Sequence, residues 1–428
     1  MKELQKKDEY AFSRFLYVIE ATLEYFVSLA VTSVYLAKLT AYIGISDGLT
    51  GILSSFVSLA SGFQLVAIFF ARKTPVKIWV TTLHIVSDAM FALLYFTPLF
   101  HFSRTVKTVM FVVLLLGANV LNKVVNSPKT NWYMSLVDDK KRGRFTANKE
   151  ITSLITGMAF SYFMGAMMDH FELSGDMRGA FVVGGITICV LMVSHALSLI
   201  FAKEKPMERK ENSSIGKEIK ALLKDKALLK VVGVSVFWGV ATYISTPFFG
   251  TYQTKELGFS TSFASVIVMA ASLCRVFCSK PLGKFADKHS FADMLIICFG
   301  LETLAFAINT FTNPSNGHVL YVVYLLLYYA GMAGINSSVI NLIYDYVGVE
   351  KRTSALALKS ALAGVAGFLT TLVVSPFVSF MQENGNVLFG VNVYAQQVLS
   401  LISCLCSLGV LLYMIFVVRK IPKQKENE

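Results

Sequence analysis

The stretch from Val125 to Ile151 reads VNSPKTNWYMSLVDDKKRGRFTANKEI, and 210 positions later Ile335 to Ala361 reads INSSVINLIYDYVGVEKRTSALALKSA. Eight aligned pairs are identical: Asn126/Asn336, Ser127/Ser337, Asn131/Asn341, Val137/Val347, Lys141/Lys351, Arg142/Arg352, Ala147/Ala357 and Lys149/Lys359. Each copy has the same physical grammar. An apolar segment acquires asparagines, runs into a short charged loop ending in Lys-Arg, and re-enters an apolar segment carrying one lysine. Two Lys-Arg corners in register with two asparagine pairs mark a duplicated unit. The offset is close to half of the 428 residues, so the sequence predicts two related halves with the function between them. A second trace agrees: IGIS (Ile43–Ser46) and LGFS (Leu257–Ser260) stand 214 positions apart.

Working outward, 55% of the chain is apolar and only 15% charged, where a soluble protein is about a quarter charged. Mean hydropathy is +0.60. About twenty apolar residues span a bilayer as a helix, and the sequence predicts twelve such segments: 13–37, 49–71, 78–100, 108–135, 147–168, 179–202, 229–252, 261–282, 292–312, 319–345, 354–380 and 393–418. Backbone groups in hydrocarbon must be satisfied within the chain, so these are helices. The expected organisation is an all-α membrane protein with twelve transmembrane helices. Residues 1–202 and 229–428 form two pseudo-symmetric six-helix bundles, and 203–228 is a cytoplasmic connector. In the connector Ile215, Ile219, Leu222 and Leu223 share one helical face, as in an amphipathic helix lying on the membrane.

The net charge of +12 needs a membrane reading before a nucleic-acid one. With both termini cytoplasmic, 30 of the 39 basic residues fall on the inner side and five on the outer side. That is the positive-inside pattern, and it leaves no polyanion partner to explain. The N-terminus, MKELQKKDEYAFSR, is too charged for a cleavable signal. All six cysteines lie inside apolar segments, and none has the spacing of a disulfide framework or metal clip. No phosphate-binding loop or catalytic triad is present and the histidines are scattered, so neither an enzyme nor a cofactor is expected.

Twelve helices in two related sixes, both ends inside and a long basic central loop resemble the major facilitator superfamily, over essentially the whole chain. The most specific local match is Gly283-Lys284-Phe285-Ala286-Asp287-Lys288-His289, which is similar to that family's short cytoplasmic motif. There the glycine is expected to permit a tight helix end. The first-half counterpart, Phe69-Phe70-Ala71-Arg72-Lys73-Thr74-Pro75, has neither the glycine nor the aspartate. The fifth segment has Gly157 and Gly165 but lacks the Gly-Pro signature of proton-driven drug antiporters. Trp132 to Arg144 resembles the corner after the fourth helix of bacterial permeases. The resemblance implies a monomeric transporter in the inner or plasma membrane, with the first, fourth, seventh and tenth helices lining a central cavity.

A charge in the bilayer interior costs several kcal/mol, so each is a functional candidate. Glu20 and Glu24 lie at spacing i, i+4 on one face of the first segment. They are candidates to carry a coupling proton. Asn119, Asn122, Lys123 and Asn126 form one stripe on the fourth segment, and Lys123 is expected to face either Glu24 or an anionic substrate. The tenth segment offers Tyr328 and Asn336, and the seventh offers Trp238 and Tyr243. Arg275 in the eighth is placed for a carboxylate or phosphate, or for the cytoplasmic charge network. Two residues form an i, i+4 pair in the third segment, His84 and Asp88; with Glu302 and His195 they are read as structural, the pair being the second choice of proton site. Arg142, Lys149, Arg352, Lys359 and Asp287 are expected to act as gate parts at the cytoplasmic ends.

These readings converge on secondary transport of a small organic solute by alternating access, with protons as the coupling ion. Two alternatives stand beside it: a multidrug/proton antiporter exporting lipophilic cations, and a non-transporting membrane sensor. The first is opposed by both missing signatures, the second by the absence of an appended soluble domain.

Overall fold

A computed structural model describes residues 9–64, 75–138, 141–205, 220–344, 346–347, 352–388 and 390–421. The chain is all-α apart from one antiparallel ribbon, Val387–Leu388 paired with Val391–Asn392. Its helices are α1 (Ala11–Ala30), α2 (Ser33–Ile43), α3 (Asp47–Ser54), α4 (Phe56–Ser61), α5 (Val76–Phe96), α6 (Arg104–Met134), α7 (Arg142–Leu173), α8 (Met177–Phe201), α9 (Lys226–Tyr243), α10 (Thr261–Lys288), α11 (Phe291–Asn309), α12 (Gly317–Tyr344), α13 (Arg352–Glu383) and α14 (Ala395–Phe416). Short turns extend α9 to Glu256. Among the described residues ten helices are long and apolar enough to cross a membrane, and α1 with α2 makes an eleventh span as a broken pair. The second expected segment, 49–71, begins as α3 and α4 and leaves the described residues at 65. The amphipathic helix expected in the connector falls mostly on 206–219, outside the described residues.

The chain divides into two compact units, 1–31 with 66–210 and 32–65 with 211–428. In the first unit α5 packs on α6 and α8, and α1 packs on α7 and α8. Its core is built on the quoted stretch. Trp132 is fully buried, its ring 4.6 Å from Tyr133, which stacks at 4.2 Å on Tyr17 of α1. The Trp132 indole donates to the Lys203 carbonyl at 3.0 Å, pinning the end of α8. In the second unit α11 packs on α12 and α14, α10 on α12, α9 on α13 and α14, and α13 on α3 and α4. Ile78, Phe163, Phe277 and Val373 stand outward and exposed. A surface that apolar in water is a liability, and in hydrocarbon it costs nothing.

The IGIS and LGFS traces are helix stops and starts. Gly44 and Gly258 take φ of 84° and 65°, a left-handed conformation that suits glycine. Ser46 and Ser260 then cap the next helices, accepting from Leu49 N at 3.3 Å and Phe263 N at 3.1 Å. Gly283 behaves differently from the expectation. The α10 helix passes through it and through Pro281 to Lys288, so the glycine does not end the helix.

Candidate functional site

Six ionisable groups of the first unit, with one asparagine, are gathered in one place inside it. Glu20 and Glu24 come from α1, His84 and Asp88 from α5, Asn122 and Lys129 from α6, and His195 from α8. Lys129 is the hub. Its Nζ lies 2.6 Å from Glu20 Oε1 and 2.6 Å from Glu24 Oε2. Asn122 Nδ2 donates to the other Glu24 oxygen at 2.8 Å. His195 Nδ1 meets Asp88 Oδ2 at 2.7 Å, and its Nε2 meets Glu20 Oε1 at 3.1 Å. The His84 ring sits edge-on to His195, centroids 4.9 Å apart.

Helical spacing brings these groups to one point. Glu20/Glu24 and His84/Asp88 are i, i+4 pairs, so each helix presents two groups on one face. Asn122 and Lys129 stand seven apart, two turns along one stripe of α6. Taking several charges out of water costs several kcal/mol per ion, which only close pairing offsets. The members differ in their access to water: side-chain exposure is 0% for Glu20, 3% for Lys129 and 21% for Glu24. Glu24 is therefore the most exposed of the charged members of the network.

The remaining predicted residues are distributed as follows. Asn119 is turned onto its own helix, donating to Leu115 O at 2.8 Å. Asn126 accepts from Thr130 at 3.4 Å. Lys123 is half-buried and within electrostatic range of Glu24, but the direct ion pair belongs to Lys129. Trp238 packs in the second unit's aromatic core, 5.4 Å from Phe299 and 6.4 Å from Phe306. Tyr328 belongs to the same core, 5.9 Å from both Phe306 and Tyr324. The Tyr243 ring lies against Gly367. Arg275 and Asp287 are exposed on α10. Lys149 stands 5.1 Å over the Tyr17 ring. Arg352 and Lys359 are half-buried on α13, and the side chains of Arg142 and Asn336 lie outside the described residues. Glu302 is fully buried on α11.

Sequence reasoning did not select Lys129 or His195 as site residues. Lys129 was detectable, because it continues the Asn122–Asn126 line by one more turn. His195 was not, because its partners lie 107 and 175 positions away in the chain.

Buried charges gathered among long apolar helices are the mark of a membrane transporter, and the family profile described as Major Facilitator Superfamily matches residues 15–371. The chain belongs to the Major Facilitator Superfamily. Solved structures of the superfamily share its fold. A nucleoside transporter, NupG, superposes with TM-score 0.72 at 15% identity, covering 96% of this chain and 100% of that one. A D-xylose-proton symporter gives 0.72 at 14% identity over 97% and 99%. The Escherichia coli fucose:proton symporter FucP gives 0.60 at 12% identity over 95% and 98%. No curated protein sequence matches significantly. As a member of the superfamily this is a multi-pass membrane transporter, and the Glu20–Lys129–His195 network sits on helices of its first unit.

Proposed function

We propose that the protein is a secondary transporter of a small polar organic solute, driven by protons through alternating access, with Glu24 and Lys129 as the coupling pair. The observation that carries this reading is the Glu24 carboxylate. It is held by an ammonium on one oxygen and an amide on the other, yet is the most exposed of the network's charged members. A proton arriving there cancels the carboxylate charge. That frees the Asn122 amide and one Lys129 hydrogen, both donors suited to hydroxyls or a carboxylate on a solute. The sugar–proton symporters and the nucleoside transporter among the fold neighbours support a hydroxyl-bearing solute. A lipophilic cation would need an uncommitted carboxylate, and Glu24 is committed to Lys129 and Asn122.

The distribution of basic residues supports cytoplasmic termini in a bacterial-type inner membrane. The internal repeat supports bundles at 1–202 and 229–428 joined by the 203–228 connector. Arg142, Arg352, Lys149, Lys359 and Asp287 are the proposed gate residues: the two Lys-Arg repeats hold the first four in register, and Asp287 lies in the Gly283–His289 motif.

The test is reconstitution into liposomes that enclose a pH-sensitive dye, challenged with nucleosides, pentoses, hexoses and carboxylates. One solute class should drive proton movement. In Glu24→Gln the same solute should still exchange across the membrane, while the dye signal disappears. Solute-driven proton movement that persists in Glu24→Gln would sink the reading.

A further inference from the structure

His84 has no place in the Glu24–Lys129 pair, and it is the anomaly of the first unit. It is fully buried, and among the described residues neither ring nitrogen has a hydrogen-bond partner. Two polar nitrogens left unpaired in a packed interior lose their hydration with nothing to replace it. Beside it Glu20 is also fully buried, and Glu20 Oε2 has no partner, since Lys129 and His195 both approach Oε1. Glu20, His84 and His195 each place one donor atom within 4.8 Å of the others.

The geometry points to a binding site for one divalent transition-metal cation, held by Glu20, His84 and His195. Two imidazoles and a carboxylate suit a borderline ion such as Zn2+, Co2+ or Ni2+, whereas Mg2+ and Ca2+ prefer all-oxygen shells. A tetrahedral ion with bonds of about 2.0–2.1 Å needs donors on the order of 3.4 Å apart. The three side chains must therefore close by roughly 1 Å, within reach of small χ rotations. Glu20 Oε2 serves the cation while Oε1 stays on Lys129. The other nitrogen of His195 already faces Asp88 at 2.7 Å, the carboxylate–histidine arrangement that orients a ligand imidazole. Charge agrees as well. With both imidazoles neutral, Glu20, Glu24 and Asp88 carry three negative charges against two on Lys129 and the nearby Lys123, so the cluster is net negative before a cation binds. As the cation takes Nε2, any hydrogen there leaves as a proton to solvent, and the Nδ1 hydrogen stays on the ring, donated to Asp88. Three protein ligands leave a fourth position for water or an exchanging group, as in sites that release their ion. The site does not depend on proton coupling through Glu24, and its test involves no transport.

The test uses the full-length protein purified in detergent, incubated with ZnCl2, desalted, and assayed for metal by mass spectrometry. Co2+ absorption in the visible range reports on nitrogen and oxygen ligation. Wild type should retain one Zn2+ per chain. His84→Ala and His84→Gln should bind at least tenfold more weakly, and Asp88→Asn on the order of 10–100-fold more weakly. His101→Ala, altering an exposed histidine outside the site, should bind as wild type does. Size-exclusion profiles identify any variant that fails to fold, and His84→Gln keeps a side chain of similar bulk. No retained zinc in wild type overturns the proposal. So does zinc retained equally by wild type and both His84 variants, which places the ion elsewhere.

Discussion

Lys129 holds two carboxylates with one ammonium, and that makes it a costly side chain to remove from the first unit. Lys129→Met leaves two carboxylates facing each other without a counter-charge. A broken buried pair costs about 3–5 kcal/mol, so the detergent-solubilised variant should unfold well below wild type. Adding Glu24→Gln removes one of the stranded charges and should recover part of the loss; a double variant no more stable than Lys129→Met would mean that the network is not held by charge. At this scale the sequence was half legible. The i, i+4 pairs Glu20/Glu24 and His84/Asp88 can be read from spacing alone, and both carry network members. The stripe read on α6 stops at Asn126, one turn short of Lys129. What spacing could not supply was the meeting of four helices, so His84 and Asp88 read as peripheral and Lys123 as facing Glu24 or an anionic substrate.

At the scale of elements, the break between α1 and α2 is made by the backbone, not by proline or glycine. Ser33 takes φ 49°, unusual for a residue with a side chain. The carbonyl of Ala30 is instead met by the Tyr95 hydroxyl at 2.5 Å. Within the second unit Gly250 approaches this break so closely that a Cβ there would lie 2.3 Å from Ser33 O. Gly250→Ala forces backbone to move and should cost about 1–3 kcal/mol. Gly300→Ala, in α11 with nothing within 4 Å, should instead gain about 0.5–1 kcal/mol from helix propensity. Thermal melts of the two alanine variants should shift in opposite directions. A polar corner secures the same unit nearby: Asp47, at the start of α3, is held by Lys255 and by Gln382 at 2.5 Å, and Gln382 also reaches Glu256 at 3.3 Å. Asp47→Ala leaves Gln382 short of its acceptor and should cost about 1–3 kcal/mol. The Gly-Ser punctuation at both helix starts was visible in the sequence, whereas the α1–α2 break was not, because Val31 and Thr32 carry no local stop signal.

At the scale of the molecule, composition and run length were enough for an all-α membrane protein, because the bilayer allows so few alternatives; the superfamily came from the resemblance of the two related halves, the basic central loop and the Gly283–His289 motif. Side-chain roles were not legible to the same degree, since the aromatic residues chosen for a cavity, Trp238 and Tyr328, pack into the second unit's core. The orientation can be tested directly. In a cysteine-free background, Ser174→Cys, in the exposed turn between α7 and α8, should react with a membrane-impermeant maleimide on intact cells. Lys205→Cys, after α8, should react only once the membrane is opened. The reverse pattern would place the basic loops outside.

The order in which the chain is made gives the charge network one more consequence. Glu24 leaves the ribosome 105 residues ahead of Lys129, and Glu20 leaves 175 ahead of His195. At about 5–20 residues per second the first helix waits on the order of 5–20 s for its lysine. For that time it carries two carboxylates and no counter-charge. It is thus a poor candidate to settle alone in lipid, and a good one to linger beside the insertion machinery until α6 arrives.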